Sequence, residues 1–132
     1  MEEVHALGLA KAIGVSNFNC ALVTDLLNTC KGLGSACSQS RDTMLTQPAV
    51  PPAVNQVEMH PYLTQPTLLA YMRRCNIAVT AFSPLGIGSY LPLGASGDSV
   101  LTEPVVAAIA ARTARSPAQV ELHCIMLQFC TA

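Results

Sequence analysis

The sequence predicts an α/β fold in which parallel strands alternate with helices. Three short segments, residues 11–15, 54–58 and 77–82, are predicted to be strands, and apolar residues at helical spacing follow them. Such alternation is typical of parallel strands joined by right-handed crossovers. Because three parallel strands alone leave two unpaired edges, we expect the chain to form part of a larger sheet or barrel.

The first two predicted helices each have a start signal and an apolar stripe. Asn19 is a suitable N-cap for the first helix, which Gly32 and Gly34 end, and Pro66 lies in the first turn of the second. The apolar stripes consist of Leu22, Val23, Leu26, Leu27 and Cys30 in the first helix, and of Leu68, Leu69, Met72 and Cys75 in the second.

Two more helices are predicted in the last third of the chain. Glu103 and Pro104 open the first of them, and Ser116, followed three residues later by Gln119, gives the second a capping box. The residues expected to face inward are Val105, Val106 and Ile109 in the first, and Val120, Cys124 and Leu127 in the second.

Composition fits one domain of 132 residues and excludes several classes of partner. Only 11% of the residues are charged, against about 25% in typical domains, so we expect much of the surface to be covered. The net charge of −1 without a basic block argues against nucleic-acid binding. Residues 76–97 carry no lysine, arginine, aspartate or glutamate, but their prolines and glycines exclude a membrane span.

The six cysteines form no CxxC motif and no zinc-type pairing with the three histidines. We therefore expect no metal site and interpret the cysteines as reduced, core-filling thiols. Glu2 and Glu3 follow Met1 where a signal peptide would carry basic residues. These observations predict a cytoplasmic location.

Polar residues gather where the three predicted strands end. Ser16 and Asn17 follow the first strand, Gln56 lies in the second, and Phe82 and Ser83 end the third. In α/β folds, ligands bind at the carboxyl ends of the strands. Carboxamides suit another amide, the Phe82 ring could stack on a flat heterocycle, and a serine followed by small residues could hold phosphate oxygens.

Each of these residues also has a structural interpretation. Ser16 and Asn17 could cap the following helix, and Phe82 could be a core residue. His60, which precedes a proline, could serve a turn or packing as well as catalysis. Gln56 is harder to explain by structure alone, because a buried carboxamide needs hydrogen-bond partners.

Four blocks of the sequence resemble consecutive blocks of the aldo-keto reductase family, in its aldose and xylose reductase branch. The blocks are GLAKAIGVSNFN (8–19), AVNQVEMHPYL (53–63), VTAFSPLG (79–86) and LTEPVVAAIAARTARSPAQV (101–120). The resemblance implies a partial (β/α)₈ TIM barrel: residues 1–132 would supply about strands five to seven with their helices, without the N-terminal half and the last strand.

The same resemblance implies NADPH as the cofactor and an aldehyde or ketone, a small-molecule carbonyl compound, as the substrate. Ser16, Asn17 and Gln56 would bind the nicotinamide carboxamide, and Phe82 would stack on the nicotinamide ring in place of the usual tyrosine. Ser83 and Leu85 would contact the pyrophosphate.

The family's catalytic tyrosine, lysine, aspartate and histidine come from strands before the GVSN block, and this chain has no such set. We therefore assign no catalytic residue and expect an oxidoreductase by descent that is inactive as this isolated chain. The alternative is a non-catalytic binding or scaffold half-barrel. In that case its exposed sheet edges would drive self-association or pairing with another chain.

Overall fold

The computed structural model describes residues 1–28, 50–86 and 100–131 and divides the chain into two compact units. The first unit comprises Met1–Val57 and Thr67–Thr80, and the second comprises Glu58–Pro66 and Ala81–Ala132. In chain order, the helices are α1 (Glu2–Ala6), α2 (Cys20–Asn28), α3 (Pro66–Arg74), α4 (Pro104–Thr113) and α5 (Pro117–Thr131). The strands are β1 (Gly14–Ser16), β2 (Val54–Glu58) and β3 (Ala78–Phe82), and a short 3-10 helix covers Val100–Thr102.

The three strands form one sheet in the order β1-β2-β3. β1 and β2 are parallel, with Gly14 opposite Val54 and Ser16 opposite Gln56. The start of β3 bonds to the residue before β2 through Ala78 N–H and the Ala53 carbonyl, at 3.0 Å. The predicted α/β class and the alternation of strands and helices are therefore confirmed.

The core of the first unit lies on one side of the sheet. Along β2, Asn55 and Val57 are buried while Gln56 between them is exposed, as the alternation of a strand dictates. Helices α2 and α3 cover the buried side, and a 2.6 Å hydrogen bond joins the hydroxyls of Thr24 and Tyr71 across them. The clustered core residues are Val23, Leu27, Val57, Leu68, Met72, Cys75 and Ile77.

The predicted caps of α2 and α5 are confirmed. The Leu22 N–H donates to Asn19 Oδ1 at 2.9 Å at the start of α2. At the start of α5, the Gln119 N–H donates to Ser116 Oγ at 3.2 Å, and the Ser116 N–H donates to Gln119 Oε1 at 3.0 Å. This reciprocal pair is a complete capping box.

The predicted inner faces of α4 and α5 are only partly right. Val120 is buried as expected, but Val105, Cys124 and Leu127 are exposed. The buried residues in their place are Ala110, Glu121 and Ile125. Apolar residues lie on several sides of both helices, so their spacing does not define one face.

The cysteines do not share one state. Cys20 and Cys124 are free thiols, as predicted, whereas Cys75 is disulfide-bonded. The prediction of a reduced thiol is therefore wrong at Cys75, because a buried position suits a half-cystine as well as a thiol. Cys30 and the helix end predicted at Gly32 and Gly34 lie outside the described residues.

The predicted turn-rich stretch 35–53 and the predicted loop after β3 lie largely outside the described residues as well. Among the helices that the structure describes, none combines the length and the apolar character needed to cross a membrane.

Candidate functional site

A polar rim forms where β1 ends beside β2: Ser16 and Asn17 lie at the carboxyl end of β1, and Gln56 lies opposite Ser16 in β2. The Asn17 N–H and the Ser16 hydroxyl both donate to the Gln56 carbonyl, at 2.8 Å and 3.0 Å. Asn17 Nδ2 donates to Ser16 Oγ at 3.2 Å, so the two side chains are joined. All three residues are exposed, and the structure thus brings these predicted site residues together where a ligand can reach them.

The chain turns sharply at Asn17, which has a left-handed backbone with a φ of 59°. Asparagine tolerates this conformation better than most residues do. The predicted alternative, that Ser16 and Asn17 cap α2, is wrong. Asn19 supplies that cap, while Ser16 and Asn17 bond to β2 or to each other.

Asn55 is a site residue that the sequence analysis missed. Its side chain is fully buried, whereas the neighbouring Gln56, which we had expected to be the buried carboxamide, is exposed. Asn55 Nδ2 donates to the Phe18 carbonyl at 2.9 Å and approaches Met72 Sδ at 3.8 Å, and the Phe18 N–H donates to Asn55 Oδ1 at 3.4 Å. Counting the strand alternation from Val57 would have placed Asn55 in the core.

The other predicted site residues, Phe82, Ser83 and Leu85, belong to the second unit and are partly buried. Ser83 has a left-handed backbone with a φ of 48°, and its carbonyl accepts the Gly86 N–H at 2.8 Å. β1 and β3 are therefore both followed by a tight turn with a non-glycine residue at positive φ. Such strained conformations concentrate at ligand sites.

His60 is part of a turn. Its backbone exchanges hydrogen bonds with Leu63, and its ring is buried with Nε2 lying 3.4 Å from Glu58 Oε1. The Tyr62 hydroxyl donates to the Glu103 carboxylate in the same unit. These contacts favour the turn and packing interpretation of His60 over a catalytic one.

A model of the Aldo/keto reductase family matches residues 1–122. The chain belongs to this family. The resemblance identified from the four sequence blocks is thereby confirmed.

Several curated aldo-keto reductases are similar to the chain. It is 39% identical over 123 residues to aldo-keto reductase family 1 member A1 of Bos taurus, covering 93% of this chain and 32% of that protein. It is 35% identical over 127 residues to the NADH-dependent D-xylose reductase of Candida parapsilosis, covering 93% of this chain and 34% of the relative. The chain thus spans about a third of the length of the curated relatives it matches.

A solved aldo-keto reductase also matches the fold of this chain. The crystal structure of that protein complexed with NADPH has a TM-score of 0.72 and 32% identity, covering 96% of this chain and 34% of that one. The expectation of NADPH is therefore confirmed for a structural relative. The α/β architecture agrees with the family as well.

One buried group of this aldo-keto reductase chain has no counterpart in the sequence predictions. Glu121 on α5 is 1% exposed, and neither carboxylate oxygen has a hydrogen-bond partner among the described residues. Burial raises the pKa of Glu121, because desolvation disfavours the charged form. Glu121 is thus a buried ionisable group that no described residue compensates.

Proposed function

We propose that this chain supplies the nicotinamide-binding wall of an NADPH-dependent aldo-keto reductase that reduces aldehydes and ketones. In this proposal, residues 1–132 form a partial aldo-keto reductase domain, corresponding to about strands five to seven of a (β/α)₈ TIM barrel. The observation that carries the proposal is the exposed, hydrogen-bonded rim of Ser16, Asn17 and Gln56, which lies at the carboxyl end of β1 beside the parallel strand β2.

The chemistry of this rim fits the nicotinamide carboxamide. Asn17 and Gln56 each offer a carbonyl oxygen and an amide NH₂, so they can pair with both ends of another amide. The Asn17 carboxamide is oriented by its bond to Ser16 Oγ, which lowers the entropy lost on binding. When bound, NADPH supplies a hydride for the carbonyl carbon, and the rim residues bind and orient the ring.

The remaining contacts in this proposal are those that the family resemblance implies. Phe82 would stack on the nicotinamide ring, because stacking needs only an aromatic face. Ser83 and Leu85 would contact the pyrophosphate, with the Ser83 turn bringing a hydroxyl and nearby backbone N–H groups to the anion.

Hydride transfer to a carbonyl also needs a proton donor, and we assign none of the described residues to that role. His60 is engaged in its turn, and Tyr62 donates to Glu103. We therefore propose that the chain by itself binds the cofactor without appreciable turnover. A cytoplasmic location belongs to the same proposal. Because disulfides are rare in the cytosol, thiol labelling in intact cells tests it: a Cys75 that stays oxidised there would contradict a cytoplasmic location.

A second candidate function is a non-catalytic half-barrel that associates with itself or with another chain. The side of the sheet away from the helices is exposed at Gly14, Ser16, Gln56, Ala78 and Thr80. β1 and β3 form the two edges of the sheet among the described strands. Unpaired edges favour association, which size-exclusion chromatography with light scattering would reveal as dimers or larger species.

A titration of NADPH fluorescence tests the first proposal directly. Asn17→Ala removes the rim carboxamide and should weaken NADPH binding by roughly tenfold. Asn76→Ala is the matched control, because Asn76 lies in the same unit and has the same left-handed backbone, with a φ of 56°. Equal effects of the two variants, or no binding by the wild-type chain, would contradict the proposal. Rapid aldehyde reduction by the isolated chain would refute the lack of turnover.

A further inference from the structure

We propose that Asn55 is a positioning residue whose buried carboxamide clamps the Phe18 peptide and thereby holds the Ser16–Asn17 rim in its binding geometry. This inference rests on the proposed function, because it assigns Asn55 a part in cofactor binding. Asn55 does not reach the ligand, since its side chain points into the core of the first unit beside Met72.

The clamp begins where the strand ladder ends. The last strand-like bond between β1 and β2 joins the Asn17 N–H to the Gln56 carbonyl at 2.8 Å. The chain then turns at Asn17, and the next peptide cannot continue the ladder. Asn55 replaces the missing strand partner: its Nδ2 donates to the Phe18 carbonyl at 2.9 Å, and its Oδ1 accepts the Phe18 N–H.

Asn17 is therefore anchored on both sides. Its own N–H is held by β2, and the residue after it is held by Asn55. A non-glycine residue at positive φ persists only where its surroundings enforce it. Without the Asn55 clamp, Asn17 would relax toward an ordinary φ, and Nδ2 would leave Ser16 Oγ, 3.2 Å away in the intact rim.

Asparagine meets both demands of this position. The side chain must donate to a carbonyl and accept from an N–H at the reach of a short carboxamide. Leucine does neither, and ionised aspartate can only accept. Protonated aspartate does both with nearly the same shape. Lowering the pH should therefore restore, in Asn55→Asp, the donor that ionised aspartate lacks.

The experiment compares Asn55→Asp, Asn55→Leu and Met72→Leu with the wild-type chain. NADPH affinity is measured at about pH 8 and about pH 6, since burial places the aspartate pKa above its usual range. Amide hydrogen exchange at Asn17 and Phe18 is followed in parallel. Met72→Leu is the control, because it removes the thioether beside Asn55 but leaves the clamp and the core volume.

We expect Asn55→Asp to bind NADPH roughly tenfold more weakly at the higher pH and to recover most of the loss at the lower one. Asn55→Leu should stay weak at both, with faster exchange at Asn17 and Phe18, and Met72→Leu should match the wild type. Wild-type affinity in Asn55→Asp at the higher pH would overturn the positioning role, as would equal losses in Met72→Leu. No binding by the wild type would instead overturn the proposed function and the positioning role with it, while the exchange data would still report on the clamp.

Discussion

Asn55 in the first unit and Glu121 in the second are both polar side chains with almost no exposed surface, and their surroundings could hardly differ more. Asn55 has a peptide group for each end of its carboxamide. Glu121 is 1% exposed, with no hydrogen-bond partner for either oxygen among the described residues.

The difference shows when a buried polar side chain can support a binding site. A neutral group with matched partners loses little on burial and fixes the backbone that it holds. An ionisable group without partners either keeps a proton or destabilises its surroundings. The buried carboxamide of the first unit is therefore compensated by the Phe18 peptide, whereas Glu121 of the second unit has no such compensation among the described residues.

The largest expected effect comes from disturbing the pairing of β1 with β2, which places Asn55 beside Phe18. In Gly14→Ala, the new Cβ would lie 2.4 Å from Val54 Cγ1 and 2.7 Å from the Val54 carbonyl oxygen. Because the backbone oxygen cannot rotate away, β1 and β2 must separate, which should lower the free energy of unfolding by about 3 kcal/mol. Urea unfolding followed by circular dichroism measures the loss.

Gly8→Ala is the matched control for that variant. Gly8 has a φ of 70°, and its Cβ would meet nothing within 4 Å, so only backbone strain is added. That strain amounts to about 1 kcal/mol. If Gly14→Ala were no worse than Gly8→Ala, the close approach of β1 to β2 would not govern stability.

Replacing Glu121 by an apolar residue should change the free energy of unfolding by a smaller amount and in the opposite direction. Glu121→Leu should raise the free energy of unfolding by about 2 kcal/mol at neutral pH, since a buried unpaired charge is replaced by an apolar side chain. Burial raises the pKa of Glu121 above its unfolded value, so the folded state holds a proton that the unfolded state releases. The free energy of unfolding should therefore fall as the pH rises from the unfolded-state pKa to the higher folded-state pKa, and then level off.

Thermal melts across the acid-to-neutral range test the sign. The slope assigned to Glu121 should disappear in Glu121→Leu and persist in Glu3→Gln, which changes an exposed carboxylate in α1. An unchanged slope in Glu121→Leu would show that this carboxylate finds a partner in solution.

The smallest effect is expected at the capping box of α5, which tests why Glu121 is buried. The capping box fixes the start of α5 and with it the helix face that turns inward. Ser116→Ala removes the bond to the Gln119 N–H and should destabilise the chain by about 1 kcal/mol. Ser116→Asp, which keeps an acceptor, should behave like the wild type in the same urea titration. Equal losses in both variants would contradict the role of the cap.

The sequence predicted some elements well, for reasons visible in individual residues. β2 was placed correctly because the short run from Val54 to Glu58 is closed by His60 and Pro61, and α5 because Ser116, Pro117 and Gln119 form a local signal. Local signals of this kind survive folding with little tertiary influence. The rim of Ser16, Asn17 and Gln56 followed from topology, since parallel strands end at one edge.

The remaining features depend on tertiary contacts that no local pattern encodes. The inner face of α5 was misplaced because cysteine, leucine and methionine surround the helix, so packing rather than period selects Glu121 and Ile125. The clamp at Asn55 requires knowing that Phe18 folds back over β2 after the turn at Asn17. The disulfide at Cys75 depends on a neighbour that spacing alone does not identify.

The left-handed turn at Asn17 has a consequence for how this position can evolve. It needs a residue that accepts positive φ and also a side chain that donates to Ser16. Glycine would keep the turn but carries no donor, and its codons lie more than one base change from those of asparagine. Aspartate is within a single base change and tolerates the turn, yet its carboxylate only accepts hydrogen bonds. Histidine is also one base change away, tolerates the turn and carries a ring N–H. Few substitutions at position 17 therefore keep both the path of the chain and a donor toward Ser16.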